Sequence, residues 1–359
     1  MVGLPVRLLD RYLGLAILTG VGLMVLLLTS IHTLIDFVDE LNNAAERGLT
    51  FLHAVVLTGL TIPRRVYELF PTAVLLGGLL GLGNLAANNE LMVLRASGVS
   101  IFRISVTVLK VGLVLSMLAF VMGEFLVPAT EHQVEDLKNI SKSGRISTGG
   151  RWGMWAKDGN RLVNVGYVYP NLRLERIRVC ELEGGVRLSR AIYADSAVYT
   201  KDHWVLKGVR TTTIEPERVT AVYHEEERWD RLLPTDLFEV LQIEPHKMSA
   251  RKLLTYIGYL DENGLESNEY KLAFWGHFTV PISATLMLLL AVPFVFGPMR
   301  STKAGQRLFV GLLVGIAFYL VNQAVNNMGL VYGMSPLLVA VLPLAVLLGV
   351  ILLAMRRVA

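Results

Sequence analysis

Apolar positions run almost unbroken through the first third and the last quarter of the chain, and alternate with polar ones between. Stretches of about 20 apolar residues are long enough to cross a bilayer as helices. Such stretches cover residues 12–35, 58–85, 101–127, 272–296, 308–328 and 336–355, which predicts six transmembrane helices in two groups of three. Residues 128–268 hold no run of that length. Instead "RLVNVGYVY", "LERIRVCEL", "RAIYADSAVYT", "HWVLKGVRTTT" and "RVTAVYHEEERW" repeat with period two, separated by turn material such as "KDGN", "YPN" and "EGG". That alternation predicts half-buried strands, and their number and spacing fit an all-β domain of sandwich or jelly-roll type. After it, Ser249 is a cap for "ARKLLTYIGYLDEN", whose Leu253, Leu254, Ile257 and Leu260 share a helical face and which Gly264 ends. The expected fold class is an α-helical polytopic membrane protein with an inserted all-β, jelly-roll-like domain. Its expected parts are 1–127 (helices one to three, with a short helix at 85–97), 128–248 (the β-domain), 249–268 (a linking helix) and 269–359 (helices four to six).

Composition agrees with a membrane protein: 53% of the 359 residues are hydrophobic, 18% are charged, and the mean hydropathy is +0.50. The net charge of +4 gains meaning from where the basic residues lie. In a six-span topology Arg7, Arg11, Arg95, Arg103, Arg300, Lys303, Arg307, Arg356 and Arg357 fall on one side, and the short loops opposite offer little beyond Arg47. The positive-inside rule then makes both termini, the 85–97 segment and the "GPMRSTKAGQR" loop cytoplasmic, and the β-domain external. The first span is too long for a signal peptide and lacks a small-residue cleavage site at its end, so it is expected to stay as an anchor. One cysteine, Cys180, excludes an internal disulfide. There is no G-x-x-x-x-G-K-[ST] loop to cradle ATP, no H-E-x-x-H pair, and the seven histidines are scattered. No catalytic residue, metal or cofactor is predicted in this chain, nor a nucleic-acid partner; any energy for transport comes from elsewhere.

Two stretches carry candidate chemistry. "LAANNELMVLRASGVS" can form about three helical turns between two spans, with Leu91 and Leu94 on one face and Glu90 and Arg95 polar. One reading is an interfacial helix on lipid headgroups. The other is a helix seated in a groove of a cytoplasmic partner, favoured by Glu90, because a carboxylate is repelled by an anionic leaflet. The second stretch, "TIPRRVYELFP", puts Arg64 and Arg65 inside a helix expected over 52–85, roughly 50 Å long at 1.5 Å per residue. If its cytoplasmic end is Leu85, about 20 residues back is Val66, so both arginines sit at outer-leaflet depth. Guanidinium groups there suit bidentate binding of lipid phosphate. The plainer alternative is snorkelling, or pairing with Glu68 at helical spacing. Leu28, Ile31, Phe70, Phe278 and Phe318 are candidates to line a cavity for acyl chains. Gly77 and Gly81, four apart, read as a helix-packing signal. Lys110 is expected to snorkel. His277 and the row Asn322, Gln323, Asn326 and Asn327 are expected to face the bundle interior or a partner.

"ELMVLRASGVS", "GMWAKDGN", "FGPMRS" and "LVYGMSP", in this order and in register with the predicted topology, resemble the LptF/LptG permeases of the lipopolysaccharide exporter, and "GMWAKDGN" resembles the LptG branch more than LptF. The resemblance implies an inner-membrane subunit of a Gram-negative bacterium with a periplasmic β-domain. It implies four kinds of partner: an LptF-like second half, an LptB-like ATPase dimer that supplies ATP and Mg, an LptC/LptA-like periplasmic bridge, and lipopolysaccharide as substrate. It makes 85–97 the coupling helix, through Glu90, Leu91, Leu94 and Arg95, and places Arg64 and Arg65 on a basic rim for substrate phosphates. The sequence departs from that pattern in carrying Asp36 in "TLIDFVDEL" where the family has a lysine, and Glu135 and Asp136 before Lys138 where it has further basic residues. Either Lys138, Lys142 and Arg145 take over the phosphates, or the lipid carries fewer of them, or metal ions bridge acid to phosphate. A function of another class stays open beside transport: a mechanotransmission subunit whose spans move the external domain against a partner while no lipid enters the bundle.

Overall fold

A computed structural model describes residues 6–46, 50–141, 154–169, 173–184, 187–200, 203–230, 232, 244–297, 302 and 304–358. Lys142 and Arg145 lie outside them. The helices are α1 (Val6–Glu46), α2 (Phe51–Ala87), α3 (Glu90–Ala96), α4 (Ile101–Val121), α5 (Val127–Ser141), α6 (Ala250–Glu262), α7 (Asn268–Phe296), α8 (Ala304–Val331) and α9 (Pro336–Arg356). Among the described residues six helical spans are long and apolar enough to cross a membrane; the third, Ile101–Lys138, joins α4 to α5 through a π-helical turn at Met122–Leu126. By contacts the chain divides into two compact units, Met1–Glu131 with Pro245–Leu254 and Asn268–Ala359, and His132–Glu244 with Thr255–Ser267.

In the helical unit α2 and α7 form the centre, with 72% and 61% of their most apolar windows buried, whereas α8 buries only 11% and is the most outward-facing span. Leu13, Ile17, Val74, Leu79, Leu82, Ile104, Val108, Met287, Leu288 and Val292 share one core. Small residues let α1 lie against α2: a Cβ on Gly20 would meet the Gly77 carbonyl oxygen, and one on Gly77 or Gly81 would meet the backbone of Val21 or Ala16. The expected packing role of Gly77 and Gly81 is thus met, with α1 as the partner. Backbone approach of this kind substitutes for the hydrophobic drive that lipid does not provide. At the π-turn Gly123 likewise faces Tyr67 of α2 with room for no Cβ, the ideal position of one lying 2.7 Å from Tyr67 Cε2.

The second unit contains a six-stranded antiparallel sheet, β1 (Met154–Asp158), β2 (Arg161–Val168), β3 (Arg173–Glu183), β4 (Arg187–Thr200), β5 (His203–Ile214) and β6 (Val219–Trp229), paired in chain order. All five expected strands are present. β1 comes in addition, from "MWAKD", too short for its alternation to stand out. Gly159 and Asn160, the former at φ +58, make the β1–β2 turn between paired Asp158 and Arg161. Among the described residues the strands form a meander, and they contain no Greek-key crossover of the kind that defines a jelly roll. The ladder is interrupted at one level on β3, β4 and β5: Arg176 (φ +54) and Gly208 (φ +63) flank Asp195, and the pairing skips these residues. Aligned irregularities of this kind bend a sheet. Leu174, Ile177, Val179, Ala194, Trp204, Leu206 and Val209 are buried on one side of it. β6 is exposed along nearly its whole length, and its "HEEER" charges suit an edge strand.

Candidate functional site

Arg64 and Arg65 follow Pro63 in the first half of α2, so they project from adjacent faces of a helix that is otherwise mostly apolar. Both meet carboxylates. The Arg65 guanidinium forks onto Asp36 of α1, with Nε–Oδ2 at 2.5 Å and Nη2–Oδ1 at 2.8 Å, while Nη1 donates to Glu68 at 2.9 Å. Arg64 Nε lies 3.2 Å from Glu131 Oε1 and 3.8 Å from Glu68 Oε1. Neither contact is aligned as a hydrogen bond, so Arg64 Nε and Glu131 Oε1 are both buried without an aligned partner. Lys247 Nζ stands 3.7 Å from the other Glu131 oxygen, and Glu131 itself is 1% exposed. The plain expectation for these arginines, pairing with Glu68, is therefore met, and two carboxylates from distant parts of the chain join it. Asp36 occupies Arg65. Lys138 is half-buried on α5. A second polar junction lies nearby in sequence. Glu124, in the π-turn, accepts the Ala250 N–H at the start of α6 at 2.8 Å, and its Oε2 is 3.7 Å from His277 Nδ1. His277 is buried and its Nε2 lies 3.0 Å from the Met248 carbonyl, as expected of a residue inside the bundle.

The five residues expected at an acyl cavity do not converge on one in this chain. Phe70 is 3% exposed, in the core beside Val74, and Phe318 packs against that core. Leu28 packs on Met24, Ala73 and Leu76, whereas Ile31 is 48% exposed and Phe278 sits among Phe120, Phe274 and Trp275 with ring centroids 5.4–6.1 Å away. Of the amide row on α8, Gln323 and Asn327 are exposed and Asn322 and Asn326 half-buried, so the row does not point into this chain's own bundle.

At the other end, α2 and α3 are separate helices because Asn89 takes a left-handed conformation (φ +61), which asparagine tolerates better than most residues. The break turns α3 so that Leu91 is 2% exposed and, with Leu94, packs on the bundle. Leu91 and Leu94 thus share a face, as expected, but it is turned to the bundle, and Met92 (46%) and Val93 (66%) face outward with Arg95. Leu91, Met92, Arg95 and Ala96 border a cavity of about 310 Å³ together with Ala86, Val295 and Phe296. Glu90 accepts a hydrogen bond from the Tyr12 hydroxyl of α1 and one from Asn88 Nδ2 at 3.4 Å. Close by in the chain, Asp10 receives Arg103 and Lys110, each at 2.8 Å, and Thr107 at 2.6 Å, so Lys110 pairs within the protein rather than snorkelling freely. Arg307, 2% exposed, donates to the Gly83 carbonyl at 2.7 Å and stacks where a Cβ on Gly83 would come within 2.8 Å of its Cζ. Tyr12, Asp10, Glu124 and Glu131 are missing from any reading by motif, and Arg307, expected in a cytoplasmic loop, is buried at the start of α8. For Glu124 the signal is an ionisable group inside an apolar run.

Comparison with known proteins adds what geometry alone leaves open. The sequence matches the family described as lipopolysaccharide export system permease LptF/LptG over residues 11–357. It is 33% identical over 337 residues to the lipopolysaccharide export system permease protein LptG of Haemophilus influenzae, covering 93% of this chain and 94% of that one. With the protein of the same name from Escherichia coli K12 it shares 33% identity over 344 residues, 95% of this chain and 96% of the other. Topology, the inserted sheet and near full-length similarity agree: this chain belongs to the LptF/LptG family of lipopolysaccharide export permeases.

Proposed function

We propose that the chain is the LptG-type half of a permease that takes lipopolysaccharide from the outer leaflet of the inner membrane and passes it toward a periplasmic bridge. Family membership over the whole chain, with both relatives being LptG proteins, supports transport and favours LptG over LptF. One local observation carries the substrate reading: two arginines stand in the first half of α2, toward the outer end of its apolar stretch, and the Nε of Arg64 is buried without an aligned acceptor. A phosphate oxygen would satisfy it. Acyl chains would be held by apolar burial, about 0.8 kcal/mol per CH₂, against Ile31 and the outward face of α8, with the second half of the permease as the opposite wall. Phe70 then serves the core, and Leu28, Phe278 and Phe318 border the cavity only once that second half is present.

Release of so many buried methylenes needs work from outside this chain, and a separate cytoplasmic ATPase dimer would supply it, with ATP and Mg bound there. In this reading α3 is the coupling helix, its Met92, Val93 and Arg95 face seated on the ATPase and its Glu90 tied through Tyr12 to α1. Both termini are cytoplasmic and the β-domain periplasmic, where the open edge of its sheet would extend into the bridge protein by strand addition. The competing reading, mechanotransmission without lipid in the bundle, draws support from the carboxylates already paired with Arg64 and Arg65. A photoreactive amino acid at Ile31 in living cells separates the two. A UV-dependent adduct with lipopolysaccharide is expected; none at Ile31, while a periplasmic carrier in the same cells gives its own adduct, would favour mechanotransmission.

A further inference from the structure

An arginine pair exposed to lipid with no counter-charge would destabilise the empty transporter, since an uncompensated charge of low solvation is costly. The chain supplies the counter-charges itself. Arg64, Arg65 and Lys247 are matched by Asp36, Glu68 and Glu131, three cations against three carboxylates. The two arginines are not equally engaged. On Arg64 no contact is aligned as a hydrogen bond, whereas on Arg65 the Nε and Nη2 donors, the fork that would grip a phosphate bidentately, are both taken by Asp36. That pair is not sealed, the Arg65 and Asp36 side chains being 26% and 22% exposed. It also bridges two helices, Asp36 on α1 and Arg65 on α2, 29 positions apart.

We infer that Asp36 is an internal counter-anion that competes with the substrate's phosphate for Arg65, so that loading exchanges one anion for another and unties α1 from α2 at this level. The inference rests on the phosphate-binding reading above and makes Asp36 a specificity-determining residue. A phosphate group of charge about −1.5 to −2 outcompetes a single carboxylate, whereas a lipid without phosphate cannot displace it. On release the carboxylate returns, so expelling the lipid never leaves Arg65 bare. The same contact that lowers affinity makes unloading easier.

The test uses the full chain assembled with its partner subunits in lipid nanodiscs, and measures by mass spectrometry how much bisphosphorylated lipid A, or the same lipid stripped of phosphate, each complex retains at limiting lipid. Asp36→Asn is expected to raise retention of the phosphorylated lipid about fivefold, equivalent to about 1 kcal/mol, and to leave the dephosphorylated lipid unchanged. Asp36→Ser is a second neutral variant with the same expectation, Asp36→Glu should stay near wild type, and Asp39→Asn controls for charge alone. No gain for the phosphorylated lipid in either neutral variant, or an equal gain for both lipids, would overturn the exchange. If a double Arg64→Gln, Arg65→Gln variant retains phosphorylated lipid as wild type does, the phosphate-binding reading itself fails, whatever Asp36 does.

Discussion

Arg64 and Arg65 are adjacent in sequence yet differ in what they can still bind, and the difference lies entirely in groups brought from elsewhere. Glu68 is within helical reach of both, but Asp36 comes from α1 and Glu131 from α5. Because Arg64 keeps an unaligned donor, reversing its charge should cost the most: Arg64→Glu is expected to cut the lipopolysaccharide crosslinked at Ile31 by at least about tenfold, or about 1.4 kcal/mol. Lys110→Ala, which removes only one of the Asp10 contacts, should leave more than half of it. Comparable adduct yields from the two variants would remove Arg64 from the site. At Gly83 the constraint is steric. Gly83→Ala should press on the buried Arg307 guanidinium and destabilise the bundle by about 1–3 kcal/mol, read as a lower melting temperature of the purified complex. Tyr259 on α6 donates to the Lys157 carbonyl at 2.7 Å, and burial raises its pKa above the usual phenol value, so this bond persists as pH rises through the range where an exposed tyrosine ionises.

Among the elements, α3 departs most from its sequence reading. Periodicity predicted one helix over 85–97 with Leu91 and Leu94 on one face; the left-handed Asn89 ends α2 before α3 begins, and the shared face of those leucines holds α3 to the bundle. A face exposing Met92, Val93 and Arg95 suits a protein groove. Glu90→Lys is expected to keep membrane insertion and complex assembly while lowering lipid exported per ATP hydrolysed severalfold, since it removes the acceptor for Tyr12 and reverses the charge that the proposed ATPase partner would meet. Transport per ATP at the wild-type ratio would rule out coupling through α3. The α1–α2 seam is legible in "GGLLGLG", although its partner is not. Gly77→Leu should separate the two helices, because the place of its side chain is already filled by Val21 backbone, and the loss should appear as a complex that no longer assembles.

For the molecule as a whole, six spans interrupted by a sheet were legible because both signals are local: a run of about 20 apolar residues needs no partner to be recognised, and a two-residue period marks a strand wherever it pairs. The outward face of α8, with Gln323 and Asn327 exposed in an apolar helix, predicts that a second subunit covers it. Cysteines at Gln323 and at positions along the first span of an LptF-type half should crosslink in native membranes, and crosslinks confined to two copies of this chain would contradict that arrangement. By itself, then, the amino-acid sequence determined the number of spans, the place and period of the β-domain, and the lack of an ATP-binding loop, since each depends on neighbours within a few residues. Only the tertiary structure decided that Asp36, Glu68 and Glu131 surround the arginines, that Phe70 is core, that α3 turns Leu91 and Leu94 to the bundle and that Arg307 is buried on Gly83. Those outcomes depend on which helices lie side by side, and on electrostatics that act across space between residues far apart in the chain.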